Sequence, residues 1–392
     1  MTTAADAIEQ ASLLDGPHDG VNACLREARL VDHHVHSILT GQLSVERLVA
    51  DLSETALPDA AAVAGIDHQL GVAVRRWCAP LLGLPRHVEA DTWLRHRATM
   101  DNAVAAASLL PPAGFEALYV DTGFRSAELL PVDELARLAG ARAEPIVRLE
   151  TLAEKVAASG VSAAGFSAAY RDALAEATRS AIGVKSIVAY RHGLDFDPSP
   201  PSASDVVEHA GRWLASVAAG GALRLRDPVI LRFVLWSGVE TVLPLQVHTG
   251  YGDSDLDLRR CDPLLLTGFI RATLGRTRIL LLHTYPFHRQ AGYLAQMFPH
   301  VYTDIGLGVN HTGIQSEQLV AEMLEVAPFR KILFSSDAWG LPELHLLGSW
   351  LFRRALSRVL GRWVATGDWS LADARLVVEL IGSQNARLVY GR

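Results

Sequence analysis

The run Leu30-Val31-Asp32-His33-His34-Val35-His36 is a short apolar approach that ends in imidazoles. Alternate residues of an extended strand face the same way, so His34 and His36 would project together from one end of it. Two neutral imidazoles side by side suit zinc, manganese or iron. Alone, such a pair reads equally well as core or surface histidine. Its weight comes from repetition, since later apolar runs end in His248, His283 and Asp337.

The elements that must position these residues follow a regular rhythm. Apolar runs occupy residues 30–36, 117–123, 144–150, 182–191, 241–250, 278–285, 300–306 and 331–337, with helical patterns between them. Strands alternating with helices pair in parallel, and right-handed crossovers would close eight of them into an α/β (β/α)8 TIM barrel. Strands buried on both faces should be apolar along their whole length, as these are. In such a barrel the chemistry sits at the carboxyl ends of the strands, where His34, His36, His248, His283 and Asp337 would all fall. Residues 37–116 lack a strong strand signal and read as a helical insertion after strand one, long enough to cap an active-site mouth. Residues 370–392 read as a closing helix, and 1–392 as a single barrel.

Composition narrows the function classes. With 49% hydrophobic and 20% charged residues, a chain of 392 can bury a sizeable core. A net charge of −7 without a lysine- or arginine-rich block argues against nucleic acid and anionic membrane as partners. Cys24, Cys78 and Cys261 lie too far apart for a CxxC site, which favours a reducing cytoplasm. The first residues lack the basic start and apolar run of a secretory signal. The longest apolar run, 228–245, is interrupted by Arg232 and Glu240. A cytoplasmic enzyme acting on a small molecule is expected, and exposed faces of the insertion allow a homodimer.

With Asp32-His33-His34-Val35-His36 on strand one, His248 on strand five, His283 on strand six and Asp337 on strand eight, the sequence resembles the amidohydrolase superfamily of metal-dependent barrel hydrolases. The likeness covers almost the whole chain. The stretches RRWCAP (75–80), VDTGF (120–124), VKSIVAYRHGL (184–194) and QVHTGYGD (246–253) look like the amidohydrolase domain of fungal and plant nodulin-type proteins, where it is fused to a glutamine-synthetase-like domain. Here the sequence stops after the barrel, so that partner domain is expected to be absent.

The resemblance implies roles residue by residue. His34, His36, His248 and Asp337 would hold one divalent ion, zinc first, with manganese or iron as alternatives. Asp337 would also take a proton from the attacking water; the alternative reading of an aspartate there is a helix N-cap. His283 would either bind a second metal or stand free as acid, base or electrophile; its capacity to titrate near neutral pH favours the latter. Some relatives bridge two metals with a carboxylated lysine on strand four. Lys185 is expected early in its strand, with Tyr190 and Arg191 nearer the end, which points to an ion pair instead.

Substrate contacts are read from residue type. Arg191, Arg75 and Arg76 could grip a carboxylate, or form ordinary ion pairs. Tyr251, Asp253 and Asp255 could meet an amino group, or make a capped turn. Trp339 could wall the pocket or pack in the core. His33, His288 and His345 read as structural or exposed. The expected reaction is hydrolysis of a small amide by metal-activated water, plausibly a γ-glutamyl amide given the synthetase association. Decarboxylation of an unsaturated or aromatic acid is the alternative, and a non-enzymatic binding barrel the third reading.

Overall fold

A computed structural model describes residues 3–55 and 57–391. Seven strands form one wholly parallel sheet in sequential order: β1 (Leu30–Val35), β2 (Phe115–Asp121), β3 (Arg142–Arg148), β4 (Gly183–Ser186), β5 (Leu245–His248), β6 (Ile279–Leu282) and β7 (Val301–Thr303). β1, β4, β5 and β6 are buried at every residue, as strands enclosed on both faces require.

The eighth expected strand is a closing segment without regular strand pairing. Ile332 bridges Thr303, and the Leu333 N–H donates to the Thr303 carbonyl. On the other side, N–H groups of His33 and His36 donate to the carbonyls of Phe334 and Ala338, and that of Asp337 to His34. The ladder breaks because Asp32 intercepts it, its carboxylate accepting both the N–H and the hydroxyl of Ser336. Asp337 itself has a φ of +49°, outside the strand region. The circle between β7 and β1 is thus closed by side-chain as well as backbone bonds.

Helices surround the sheet and separate its packing into an outer shell and an inner plug. Inside the ring, Val31, Tyr119, Ile146, Leu280, Leu282 and Leu333 pack together with Ala386, Val389 and Tyr390 of the terminal helix Asn385–Tyr390. That helix follows Leu371–Glu379 and a π turn, Leu380–Gln384, in the region read as a closing helix. Between β1 and β2 the chain is helical: Val45–Asp51, Pro58–Ala64, Gln69–Ala73, the π turn Val74–Cys78, Ala79–Leu81, Ala90–Ala98 and Asn102–Ala113. The first of these is capped by Ser44, whose hydroxyl accepts the Arg47 N–H at 3.2 Å. No helix among the described residues is long and apolar enough to cross a membrane; the apolar run near residue 230 is the helix Pro228–Glu240, packed against the sheet.

Candidate metal centre

At the carboxyl ends of the strands, His34, His36, His283 and Asp337 converge. Asp337 Oδ1 lies 3.1 Å from His34 Nε2 and 3.6 Å from His36 Nε2, and Asp337 Oδ2 lies 3.3 Å from His283 Nδ1. His248 stands beside His283, ring centres 4.7 Å apart. Two compact donor sets emerge, His34–His36–Asp121 and His34–His283–Asp337, each with its ligand atoms within 4.8 Å of one another. His248 belongs to neither, although it lines the same cavity.

Hydrogen bonds to the far sides of the rings set the tautomers. Gln246 Nε2 donates to the His33 carbonyl at 2.7 Å, which fixes its amide orientation. Gln246 Oε1 therefore faces His34 Nδ1, at 2.8 Å, and accepts its proton. His36 Nδ1 donates in the same way to the Asp121 carbonyl at 3.2 Å. Both Nε2 lone pairs are then aimed inwards, as outer partners of metal-binding histidines commonly arrange. His33 supports the site from behind: its Nε2 donates to Asp304 Oδ2 at 2.7 Å, and Asp304 Oδ1 accepts the His283 N–H at 2.8 Å.

The electrostatics leave the imidazoles ready to bind a cation. Burial drives His34, His248 and His283 well below the usual histidine range, the Lys185 charge adding to it, and brings His36 down to about 3. Neutral imidazole is the form that binds metal. Burial lifts Asp337 to about 6 against the pull of Lys185. Asp121 moves the other way. Burial would raise it, but the charge of Arg148 first, with Lys185 behind it, outweighs that and holds it low.

His34 Nε2 and Asp337 Oδ1 are thus two acceptors face to face. Among the described residues, Asp337 Oδ1, His248 Nε2 and both His283 nitrogens lack a hydrogen-bond partner despite being buried; the 3.1 and 3.3 Å approaches are close without hydrogen-bond geometry. Buried polar atoms are rarely left so, and a divalent cation satisfies this donor set.

Lys185 corrects the sequence expectation. β4 ends at Ser186, and Val188–Arg191 is a helical turn, so Lys185 sits near the strand's carboxyl end. Its Nζ lies 2.9 Å from His34 Nε2 and 3.9 Å from Asp121 Oδ2. Burial lowers it to about 8.

The remaining candidates divide. Arg191, Asp253, Asp255 and Trp339 line a cavity of about 550 Å³ that opens over the centre. Tyr251 does not line it; its ring lies 5.6 Å from that of His311. Arg75 and Arg76 lie outside: Arg75 bonds the carbonyls of Gly71 and Val88, and Arg76 stacks over Trp77. His288 and His345 are buried and bonded, to Glu322 and to the His36 carbonyl. Sequence reading did not single out Asp121, Arg148, Gln246 or Asp304. Arg148 clasps Asp121 Oδ2 from two nitrogens, at 2.9 and 2.6 Å, and lines the cavity. The insertion contributes Arg47, Asp51 and Glu54 to the same wall.

A parallel barrel with this rim is the architecture of metal-dependent hydrolases, and comparison with known proteins agrees. Residues 31–392 match the family model described as amidohydrolase, so the chain belongs to the amidohydrolase family. It is 27% identical over 397 residues to protein fluG of Emericella nidulans, an alignment covering 92% of this chain and 45% of that protein. The chain therefore spans about half the length of that relative. Among solved structures, a Lactobacillus casei protein provisionally assigned as a metal-dependent hydrolase is 27% identical, with a TM-score of 0.83 and coverage of 95% of this chain and 98% of that one. A uronate isomerase from Thermotoga maritima shares the fold at 14% identity, with a TM-score of 0.63 over 97% and 98% of the two chains.

Proposed function

We propose that the chain hydrolyses a small amide, a γ-glutamyl amide in particular, with a zinc ion held by His34, His36, His248 and Asp337. The observation that carries this reading is the 3.1 Å approach of two acceptors, His34 Nε2 and Asp337 Oδ1, in a buried site. A divalent ion bound there supplies Lewis acidity, lowering the pKa of water from 15.7 towards about 7 and polarising a carbonyl. Asp337 orients the attacking water and accepts its proton at a carboxylate oxygen. His283, its Nδ1 3.3 Å from Asp337 Oδ2, assists the developing oxyanion or passes a proton to the departing amine. Arg191 meets a substrate carboxylate from the cavity wall, Asp253 an amino group, and Trp339 closes the apolar side.

The position of Lys185 brings a bridging role, as a carbamate between two metals, back within this proposal. An ammonium 2.9 Å from His34 Nε2 competes with a metal for the same lone pair, whereas a carboxylated lysine would add an anionic oxygen ligand. The test is to incubate purified, metal-loaded protein with a panel of γ-glutamyl amides and measure glutamate and free amine. Stoichiometric release of both is expected, together with one or two equivalents of bound metal. Carbon dioxide release from unsaturated or aromatic acids, with no amide cleaved, would move the chain to the decarboxylase reading.

A further inference from the structure

The charges lining the cavity are matched unevenly. Arg47 pairs with Asp51 at 2.6 Å, Arg148 with Asp121 at 2.6 Å, Arg191 with Glu154 at 3.1 Å and Arg224 with Asp255 at 2.8 Å. Arg125 pairs with Glu128 at 2.7 Å. Every arginine of the wall thus has its carboxylate. Three carboxylates of the wall have no lysine or arginine at ion-pair distance among the described residues: Asp337, which belongs to the metal centre, and Glu54 and Asp253, which do not. Glu54, in the insertion, faces the His311 imidazole at 3.4 Å. Asp253 accepts only the Asp255 N–H, at 2.8 Å, while its own N–H donates to the Tyr190 hydroxyl.

Both carboxylates line the same cavity. Glu54 reaches towards this loop through His311, whose ring stands 5.6 Å from that of Tyr251, and the Tyr190 hydroxyl accepts the Asp253 N–H at 3.3 Å. Burial raises both carboxyls. The site is also unfinished in a second way. Arg191 is nine-tenths buried, lines the same cavity and leaves its Nε without a partner among the described residues, a donor that suits the carboxylate of an amino-acid head. Partly buried carboxylates without a cation are costly unless a ligand brings one.

We propose that Glu54 and Asp253 bind a primary ammonium group of the substrate, so that the helical insertion selects for amine-bearing compounds. That the bound compound is a substrate rests on the hydrolase reading above; the ammonium subsite itself does not. The ammonium could belong to the acyl half, as an α-amino acid head, or to the leaving half, as the far end of a diamine.

Calorimetric titration of the metal-loaded enzyme separates these cases. L-glutamine and its analogue lacking the α-amino group, glutaramic acid, probe the acyl half, and 1,4-diaminobutane the leaving half. One of two patterns is expected: L-glutamine binding at least about tenfold tighter than glutaramic acid, or saturable binding of the diamine. In either, Glu54→Gln and Asp253→Asn should each weaken the ammonium probe by about tenfold or more, the usual loss for a charge-assisted bond. Both replacements are near-isosteric, and either one alone suffices if the other does not fold. Equal affinity for the two acids with no diamine binding, or variants that bind the ammonium probe as the parent does, would overturn the proposal. Ammonium binding that the variants lose, in a protein that cleaves no amide, would sink the hydrolase reading and leave the subsite standing.

Discussion

At the scale of single residues, the site depends on groups that never touch the ion. Gln246 holds the His34 proton on Nδ1 because its amide is locked by the His33 carbonyl and the Tyr390 hydroxyl, each 2.7 Å from Nε2. Gln246→Leu should therefore keep the fold but let the His34 ring choose the wrong tautomer. Metal affinity, measured by competition with a chromogenic chelator, is expected to fall about 10–100-fold. A change below threefold would mean that the ring is held by packing alone. The paired histidines of β1 were legible because a period of two puts them on one face. Gln246 was not, since its amide earns its role from a carbonyl 213 positions away in sequence. Asp121 was visible only as the polar end of a strand, which a capped turn explains as well.

Thiol chemistry gives a second residue-scale expectation. Burial raises all three thiols: Cys24 above its usual range, Cys78 well above it and Cys261 up to about 12. Since the thiolate is the reactive form, native protein at pH 8 should react slowly with Ellman's reagent, and unfolded protein should release three equivalents. Rapid loss of one equivalent from the native state would show that burial does not hold all three thiols in the protonated form.

At the scale of elements, the loop after β5 is set by backbone approach. Gly250 has a φ of +66°, and a Cβ there would meet the Tyr285 and His283 carbonyl oxygens at 2.5 and 2.7 Å. Gly250→Ala should therefore strain the loops of β5 and β6 together and destabilise the protein by about 1–3 kcal/mol, read as a lower urea midpoint. Activity should fall as well, because His248 ends β5 and His283 opens the loop after β6. Gly252 is crowded in another way, its added Cβ falling 2.1 Å from the Tyr190 hydroxyl. The same scale explains what sequence misjudged. The apolar run of β4 continues through Ile187-Val188-Ala189 into a buried helical turn. Periodicity alone does not separate a buried strand from a buried helix, so Lys185 looked early in a strand that in fact ends one residue later. The closing segment 331–337 carried the right apolar signal and reached the right place, but its Asp32 bonds could not be read from local pattern.

At the scale of the whole molecule, the two ends of the barrel are coupled through Tyr390. This residue of the last helix packs in the barrel interior against Tyr119, ring centres 4.8 Å apart. Its hydroxyl accepts from Gln246 Nε2 at 2.7 Å and lies 3.2 Å from His33 Nδ1. Gln246 then orients His34, and His33 passes through Asp304 to the His283 backbone. The plug at one end of the ring thus braces the ligands at the other. Tyr390→Phe keeps the ring packing but strands a buried N–H and an imidazole nitrogen, a loss of about 1–3 kcal/mol. If the bracing is real, this variant should lose metal affinity as well as stability, although Tyr390 approaches no proposed ligand directly. Chelation provides the comparison, since a metal bound only by folded protein raises its stability by mass action. Removing metal should lower the unfolding midpoint of the parent protein, and lower that of Tyr390→Phe by less. An equal drop in both would show that the network supports the barrel without tuning the site.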